Sequence, residues 1–176
     1  DLRSVWAFDS LRAVVASAGD GAEGQARIWR TADGGRTWAL ALRDTTKGVF
    51  LDAVAFWGDA RHGLALSDPV GGAFVVFASD DGGATWRRTP REGMPDALPG
   101  EAAFAAGNAA LAVAGDVHAW FVTGGPAGAR VHRSRTGGAR WDAVAAPVEA
   151  RAASAGLFAV AMRDTLVGVA LGGDYT

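Results

Sequence analysis

Cysteine is absent from this 176-residue sequence, which excludes disulfide bonds and thiolate metal sites within it. No apolar run approaches the roughly 18 residues that a membrane-spanning helix requires, so no membrane span is predicted. Basic and acidic residues are nearly balanced, at 17 and 19, and they form no basic stripe. A nucleic-acid partner is therefore not predicted. Because 49% of the residues are apolar, the chain is able to bury a core.

A glycine-rich motif that ends in tryptophan occurs three times, at residues 31–38, 79–86 and 134–141. The closing tryptophans lie 48 and 55 positions apart, and a short apolar-rich segment precedes each copy at the same offset. A fixed period of about 50 residues is typical of repeat architectures. The repeated positions are Thr31, Asp33, Gly35, Thr37 and Trp38 in the first copy, Ser79, Asp81, Gly83, Thr85 and Trp86 in the second, and Ser134, Gly138 and Trp141 in the third.

The chemistry of this motif fits a hairpin turn. Asp-Gly and Gly-Gly pairs supply the positive-φ positions that a tight turn requires. The aspartate side chain can accept bonds from backbone N–H groups a few residues on, and the tryptophan ring can pack over the turn. The third copy has Thr136 and Arg140 in place of the aspartate and the second threonine, so we expect its turn to be less tightly held. A motif repeated in every unit is interpreted as structural rather than catalytic.

A second pattern lies upstream of the motif. An apolar segment at 51–56 leads through a turn to 63–68, and the same arrangement recurs at 157–171 and, more weakly, at 5–16. Each unit is thus predicted to be four short antiparallel strands, the blade of a β-propeller. The predicted fold is all-β, with about three and a half blades at 1–43, 49–90, 101–145 and 156–176, the last of them incomplete. Residues 91–101, rich in Pro and Gly, are predicted to be an inserted inter-blade loop.

The pattern Ser/Thr-x-Asp-x-Gly-x-Thr-Trp resembles the Asp-box, or BNR, repeat. Residues 63–69 and 172–175 are similar to the bacterial photosystem II stability/assembly factor-like group of Asp-box propellers. This resemblance implies that the Asp-box turns lie on the rim, away from the face that binds ligands. Asp-box proteins are frequently exported, which implies a periplasmic or secreted location.

Three and a half blades do not close a ring, because closed propellers have 4–8 blades. The sequence begins at Asp1 rather than Met, which predicts either that a targeting segment has been removed or that this is a piece of a longer protein. We therefore expect a piece of a protein of about twice this length, and the alternative is a ring closed by two chains. In either case the open blade faces predict self-association.

Two motifs that could carry chemistry are given structural interpretations. Residues 19–24 spell G-x-G-x-x-G, but a strand follows them where a dinucleotide site needs a helix. They are predicted to be a hairpin loop. The three histidines, His62, His118 and His132, lack the spacing and the neighbouring carboxylates of a metal site. Neither a metal nor a cofactor is predicted.

The second turn of each blade and the inter-blade connections are predicted to share one face, opposite the Asp-box turns. The acids placed in them are Asp20, Glu23, Asp44, Asp68, Glu92, Asp96, Glu101, Glu149 and Asp174. Of these, the candidate ligand-face residues are Asp20, Asp68, Glu101 and Asp174. Several acids near a channel could include the two carboxylates of a glycosidase. The alternative is that they are solvated loop acids.

Three functions remain open. The first is a non-catalytic scaffold or binding module, assembly-factor-like, whose ligand is a protein or a carbohydrate. The second is a glycoside hydrolase, since Asp-box propellers include sialidases and xyloglucanases; its catalytic residues would lie partly outside this chain. A sialidase is poorly supported, because the Phe/Tyr-Arg-Ile-Pro signature is missing and the single tyrosine is Tyr175. The third is an obligate interaction partner that docks another protein on its open blade faces. Fold alone does not decide among them.

Overall fold

A computed structural model describes residues 1–105 and 108–176 of the chain. These residues form four antiparallel sheets in which strand order follows the sequence. Sheet 1 contains β1 (Leu2–Ala7), β2 (Ala13–Ser17), β3 (Ala26–Thr31) and β4 (Ala39–Asp44); sheet 2 contains β5 (Leu51–Phe56), β6 (Gly63–Val70), β7 (Ala73–Ser79) and β8 (Arg87–Arg88); sheet 3 contains β9 (Leu111–Ala114), β10 (His118–Thr123), β11 (Arg130–Ser134) and β12 (Asp142–Ala145); sheet 4 contains β13 (Ala155–Met162) and β14 (Gly168–Asp174). The predicted all-β fold, a partial β-propeller with four-stranded antiparallel blades, is confirmed.

Short 3-10 turns stand in the connections, at Gly21–Glu23, Arg91–Gly93 and Asn108–Ala110. The first falls inside the G-x-G-x-x-G segment, and Asp20 caps it by accepting from Ala22 N at 2.8 Å. One turn of 3-10 helix leading into β3 differs from the long helix that a dinucleotide site requires.

The apolar core lies between successive sheets. In β5 every residue is buried, because the strand lies between β1 on one side and β9 on the other. Val54 and Phe56 pack into the cluster shared with sheet 1, while Ala53 and Ala55 belong to the cluster shared with sheet 3. The first strands of neighbouring sheets therefore lie side by side, which is the arrangement of the inner strands in a propeller.

The Asp-box glycines set how closely one sheet approaches the next. A Cβ atom on Gly83 would lie 2.6 Å from Val14 Cγ2, and one on Gly138 would lie 2.7 Å from Leu64 Cδ2. Both contacts join a box to the second strand of the preceding sheet. Val169 stands at the position of Leu64 in sheet 4 and is 60% exposed, so this face of sheet 4 is uncovered. Association of the chain through such open faces stays a prediction.

The first two Asp-box turns are held by their aspartates. In the first box, Asp33 Oδ1 accepts from Thr37 N at 2.9 Å and Oδ2 accepts from Thr37 Oγ1 at 2.6 Å. Thr31 Oγ1 donates to Asp33 and accepts from Gly35 N, both at 2.9 Å. These hydrogen bonds lower the pKa of Asp33, and the bond from the Thr37 hydroxyl has the largest effect. The ring of Trp38 closes the turn by donating from Nε1 to Gly35 O at 3.2 Å.

The second box repeats this geometry and the third does not. Asp81 accepts from Thr85 N and from Thr85 Oγ1 at 2.9 and 2.6 Å, and Ser79 Oγ accepts from Gly83 N at 2.9 Å. Trp86 Nε1 donates to Gly83 O at 3.2 Å. The third box keeps the bond from Gly138 N to Ser134 Oγ at 3.0 Å and the bond from Trp141 Nε1 to Gly138 O at 2.9 Å. Its Thr136 Oγ1 accepts from Arg140 N at 2.9 Å, so one hydroxyl stands where a carboxylate makes several bonds.

Restoring the third box is expected to stabilise the protein. The double substitution Thr136→Asp with Arg140→Thr supplies a carboxylate and the hydroxyl that donates to it, which should raise the free energy of unfolding by about 1 kcal/mol. Urea unfolding followed by tryptophan fluorescence measures this change. Thr136→Ala is the matched control and should lower stability by a similar amount. A double variant no more stable than the wild type would contradict the expectation.

Candidate functional site

An aromatic pocket of about 380 Å³ opens between sheet 1, the connection that precedes sheet 3, and sheet 4. Its lining residues are Arg3, Phe104, Ala105, Phe158 and Tyr175. Arg3 and Phe158 lie near the start of the first strands of sheets 1 and 4. At these points the first strand pairs with the end of the second strand: Leu2 pairs with Ser17, and Leu157 pairs with Gly172. This is the end of the sheets opposite the Asp-box turns. The pocket therefore lies on the face where the sequence predicted ligands to bind.

β-Bulges set the direction of the first-strand side chains on this face. The register shifts between Leu2 and Ser4 in β1, and an equivalent shift occurs in β5 and β13. The residues at these bulges are Arg3, Asp52 and Phe158, each inside a Leu-x-Ser/Ala-Val sequence. A bulge leaves one residue out of the ladder and redirects its side chain. One repeated backbone feature thus presents a cation, an anion and an aromatic ring at equivalent positions.

Phe104 forms one wall of the pocket and packs closely against two glycines. A Cβ on Gly124 or on Gly156 would lie 3.0 Å from the Cε2 atom of Phe104. The ring meets Phe158 edge-on, at 4.7 Å between centroids and 83° between planes. Tyr175 completes the cluster, with 6.2 Å from its ring to each of the other two. Its side chain remains largely exposed, which leaves a ring face for a ligand.

Two of the predicted acids hold the segment that carries Phe104. Asp68 Oδ1 accepts from Ala103 N at 2.9 Å. The side chain of Glu101 is fully buried and pairs with Arg130, whose Nε lies 2.9 Å from Glu101 Oε1. Desolvation acts to raise the pKa of Glu101, but the hydrogen bonds, Arg130 foremost, outweigh it and the pKa is lowered. Both carboxylates therefore act on the chain itself.

The other two acids are bound within their own loops. Asp20 accepts hydrogen bonds from Ala22 N at 2.8 Å and from Gly48 N at 3.1 Å. These bonds lower the pKa of Asp20, and the bond from Ala22 has the larger effect. Asp174 accepts from the backbone N and the Oγ1 of Thr176 at 3.0 and 2.8 Å. The bonds to Thr176 lower the pKa of Asp174. The four predicted acids thus take part in four separate networks.

The structure differs from the sequence prediction in where two acids stand. Asp68 lies within β6 and Asp174 within β14, whereas both were predicted to lie in second turns. The pairing of β6 with β7 continues past a bulge to Val70 opposite Ala73, so the turn shrinks to two glycines. In sheet 4, Ala155 still pairs with Asp174. The strands are longer because pairing tolerates the polar residues at their ends.

Asp52 is a buried acid that sequence reasoning missed. It is 1% exposed, and neither carboxylate oxygen has a hydrogen-bond partner in the described chain. Burial raises the pKa of Asp52 well above its ordinary value, and the nearby charge of Asp68 is a smaller cause in the same direction. Burial also raises the pKa of Asp68 to about 6. The available signal was a carboxylate at the second residue of an otherwise apolar strand.

The histidines do not assemble a site in the described residues, where no group of three or more His, Cys, Asp or Glu side chains could hold a metal ion. His132 is fully buried and stacks on Phe121 at 4.1 Å and 8°. Burial lowers the pKa of His132 to about 3. Throughout the described ranges, no helix is long and apolar enough to cross a membrane.

No protein-family model and no curated protein matches the chain. Solved structures do. The chain is similar to YCF48 from Cyanidioschyzon merolae, with a TM-score of 0.60 and 16% identity over 99% of this chain and 48% of that one. It is also similar to a structure of YCF48 bound to D1 peptide, with a TM-score of 0.39 and 14% identity over 98% of this chain and 75% of that one. The chain spans about half the length of the first structure. At this identity the likeness is one of fold, and it confirms the predicted β-propeller architecture.

Proposed function

We propose that this chain is part of a non-catalytic β-propeller binding module, assembly-factor-like, that holds a partner protein at the aromatic pocket. The observation that carries the proposal is the combination of three aromatic rings with one guanidinium group in a cavity of about 380 Å³. Binding clefts are mostly apolar and contain a few well-placed polar groups. The fold shared with YCF48 supports a scaffold role and leaves the partner undefined.

The pocket chemistry favours an apolar or aromatic side chain with an acidic group beside it. Phe104 and Phe158 already meet edge-on, and the exposed ring of Tyr175 offers a third surface for an edge or face contact. Arg3 is about half exposed and interacts within the chain with the exposed Asp1, at 3.6 Å. Because an exposed pair of this kind is weak, an incoming carboxylate can displace Asp1 and form a bidentate bond with the guanidinium.

A peptide library tests this proposal. An immobilised library of random hexapeptides is probed with the purified chain, and bound sequences are expected to be enriched in Phe, Tyr or Leu next to Asp or Glu. Tyr175→Ala should weaken binding of the selected peptides about tenfold, in line with the removal of one aromatic contact. Arg3→Gln should remove the preference for an acidic neighbour and keep the preference for an apolar residue.

Arg151→Gln is the matched control, because Arg151 is largely exposed and its partner Glu149 lies 3.7 Å away at the surface. It should bind the selected peptides as the wild type does. Selection of peptides without an apolar anchor, or equal binding by Tyr175→Ala, would show that the pocket is not the binding site.

Carbohydrate binding is the second candidate, because an exposed tyrosine ring can also stack on a sugar. Hydrolysis requires two carboxylates that flank one bond. Asp20, Asp68, Glu101 and Asp174 each bind within a separate network, so no specific observation favours a glycoside hydrolase. An array of oligosaccharides probed in parallel with the peptides separates sugar binding from peptide binding. A periplasmic or secreted location remains a prediction from the resemblance alone.

A further inference from the structure

Asp52 is a buried carboxyl group that no group of the described chain partners. The residue is 1% exposed, and both of its carboxylate oxygens lack a hydrogen-bond partner. Its backbone oxygen accepts a 2.9 Å bond from Ser4 Oγ. Buried polar groups in folded proteins are nearly always partnered, and an unpartnered carboxylate is especially costly. Asp52 therefore indicates a partner that the protein chain does not supply.

Asp68 lies beside Asp52 because two bulges meet there. Leu51 pairs with Ser67 and Ala53 pairs with Leu66, which places Asp52 in the irregular step of β5. The next irregular step, in β6, contains Asp68, whose backbone N donates to Phe50 O at 3.1 Å. Asp68 Oδ1 accepts from Ala103 N, and Oδ2 makes no hydrogen bond within the described chain. The pair thus offers three carboxylate oxygens without a donor.

Within the part of the chain that the structure describes, no Lys, Arg or His forms an ion pair with Asp52 or Asp68. Two carboxylates at close range repel each other when both are ionised. Either a proton or a cation must relieve that repulsion.

We propose that Asp52 and Asp68 form a binding site for a hard divalent cation of the Ca²⁺ class. Ca²⁺ takes oxygen ligands only, accepts bidentate carboxylates and tolerates irregular geometry. Mg²⁺ keeps several waters and demands an octahedral shell, which suits a buried site less well. Two side chains fall short of a full set, so backbone carbonyl oxygens and water complete the coordination. The sequence predicted no metal because the histidines lack metal-ligand spacing and these two acids lie on different strands.

The site is mechanically linked to the aromatic pocket. Asp68 binds the backbone of Ala103, and the next residue is Phe104, which lines the pocket. A cation on Asp68 would therefore fix the segment that carries one pocket wall. This link is a consequence of the cation site, which itself does not depend on what the pocket binds.

Thermal unfolding of the whole chain tests the cation site. The protein is treated with EDTA, dialysed, and heated at neutral pH with CaCl₂, MgCl₂ or NaCl at matched ionic strength. Millimolar Ca²⁺ is expected to raise the Tm of the wild type by about 5 °C, and Mg²⁺ by less. Titration calorimetry with CaCl₂ should give one site per chain.

The variants Asp52→Asn and Asp68→Asn should lose both the Tm shift and the calorimetric signal. Each removes a charge at nearly constant volume, and Asp52→Asn is expected to fold at least as well as the calcium-free wild type because it ends the repulsion. Asp80→Asn is the control, since Asp80 is an exposed acid outside the site, and it should respond to Ca²⁺ as the wild type does. If the Tm of the wild type is the same in CaCl₂ and in NaCl, the two acids share a proton instead and the proposal is overturned. A Ca²⁺ response that persists in Asp52→Asn overturns it as well.

Discussion

Replacing Glu101 by glutamine is expected to lower the free energy of unfolding by about 3–5 kcal/mol, because it leaves the charge of Arg130 buried without its partner. The side chain of Glu101 is 0% exposed and that of Arg130 only 12%. Glu101 Oε1 receives bonds from Arg130 Nε at 2.9 Å and from Thr123 Oγ1 at 2.5 Å. Oε2 receives bonds from Arg130 Nη2 and, at 2.7 Å, from Leu98 N. Glutamine keeps the shape of the side chain, but it removes the negative charge and replaces one acceptor oxygen with an NH₂ donor. The loss therefore reports the unpaired charge of Arg130 together with the bonds that this oxygen accepted.

Urea unfolding at neutral pH, followed by far-UV circular dichroism, measures the effect. The control is Glu149→Gln, which breaks a pair whose side chains are 87% and 84% exposed and should change stability by less than about 1 kcal/mol. A second variant replaces both partners, Glu101→Leu with Arg130→Met. It should be more stable than Glu101→Gln, because a buried ion pair can be exchanged for apolar side chains at little cost. Equal stabilities of Glu101→Gln and Glu149→Gln would contradict the expectation.

The position of Glu101 also explains why it matters to the pocket. It connects the loop before sheet 3 to β10 through Thr123 and to β11 through Arg130. Immediately after it, Ala102 forms a bridge with Gly124, and Gly124 forms one with Gly156 of sheet 4. Loss of Glu101 should therefore loosen the segment that leads to Phe104 in addition to destabilising sheet 3.

The fold could be predicted from the sequence because its determinants are local. A turn held by an aspartate four residues before a threonine is specified within eight residues, and the hydrogen bonds of Asp33 and Asp81 are nearly identical. The alternation of the strands between these turns, together with the period of about 50 residues, then indicates a blade. Neither step needs knowledge of which distant residues meet.

The site could be predicted only in part because its determinants are not local. Glu101 was identified as an acid on the ligand face, but its partner Arg130 is 29 residues away and meets it only once sheet 3 has formed. Phe104 follows an irregular connection, and its place is set by the missing side chains of Gly124 and Gly156. Asp52 was missed because a bulge, which periodicity does not reveal, decides where its side chain goes.

The substitution His132→Phe is expected to stabilise the protein by about 1–3 kcal/mol at neutral pH, because it removes a buried polar ring without partners. Neither ring nitrogen of His132 has a hydrogen-bond partner in the described chain. The ring is surrounded by Phe121, stacked at 4.1 Å, and by Phe74, edge-on at 5.3 Å. Phe77 occupies the same repeat position in sheet 2 and is 2% exposed, so the blade accommodates a phenyl ring there.

Acid should widen this difference between variant and wild type. Burial lowers the pKa of His132 to about 3, whereas the unfolded chain keeps the ordinary value of 6.5. Between these pH values the unfolded state binds a proton that the folded state does not bind. The wild type therefore has its full stability above pH 6.5 and loses stability as the pH falls toward 3. The loss amounts to roughly 3 kcal/mol at pH 4, and phenylalanine does not incur it. Urea unfolding of both proteins between pH 4 and 7 measures the difference in their free energies of unfolding. Phe77→His is the converse variant, and it should be less stable and more sensitive to acid. A gap that stays constant across this range would show that His132 is not held neutral by its burial.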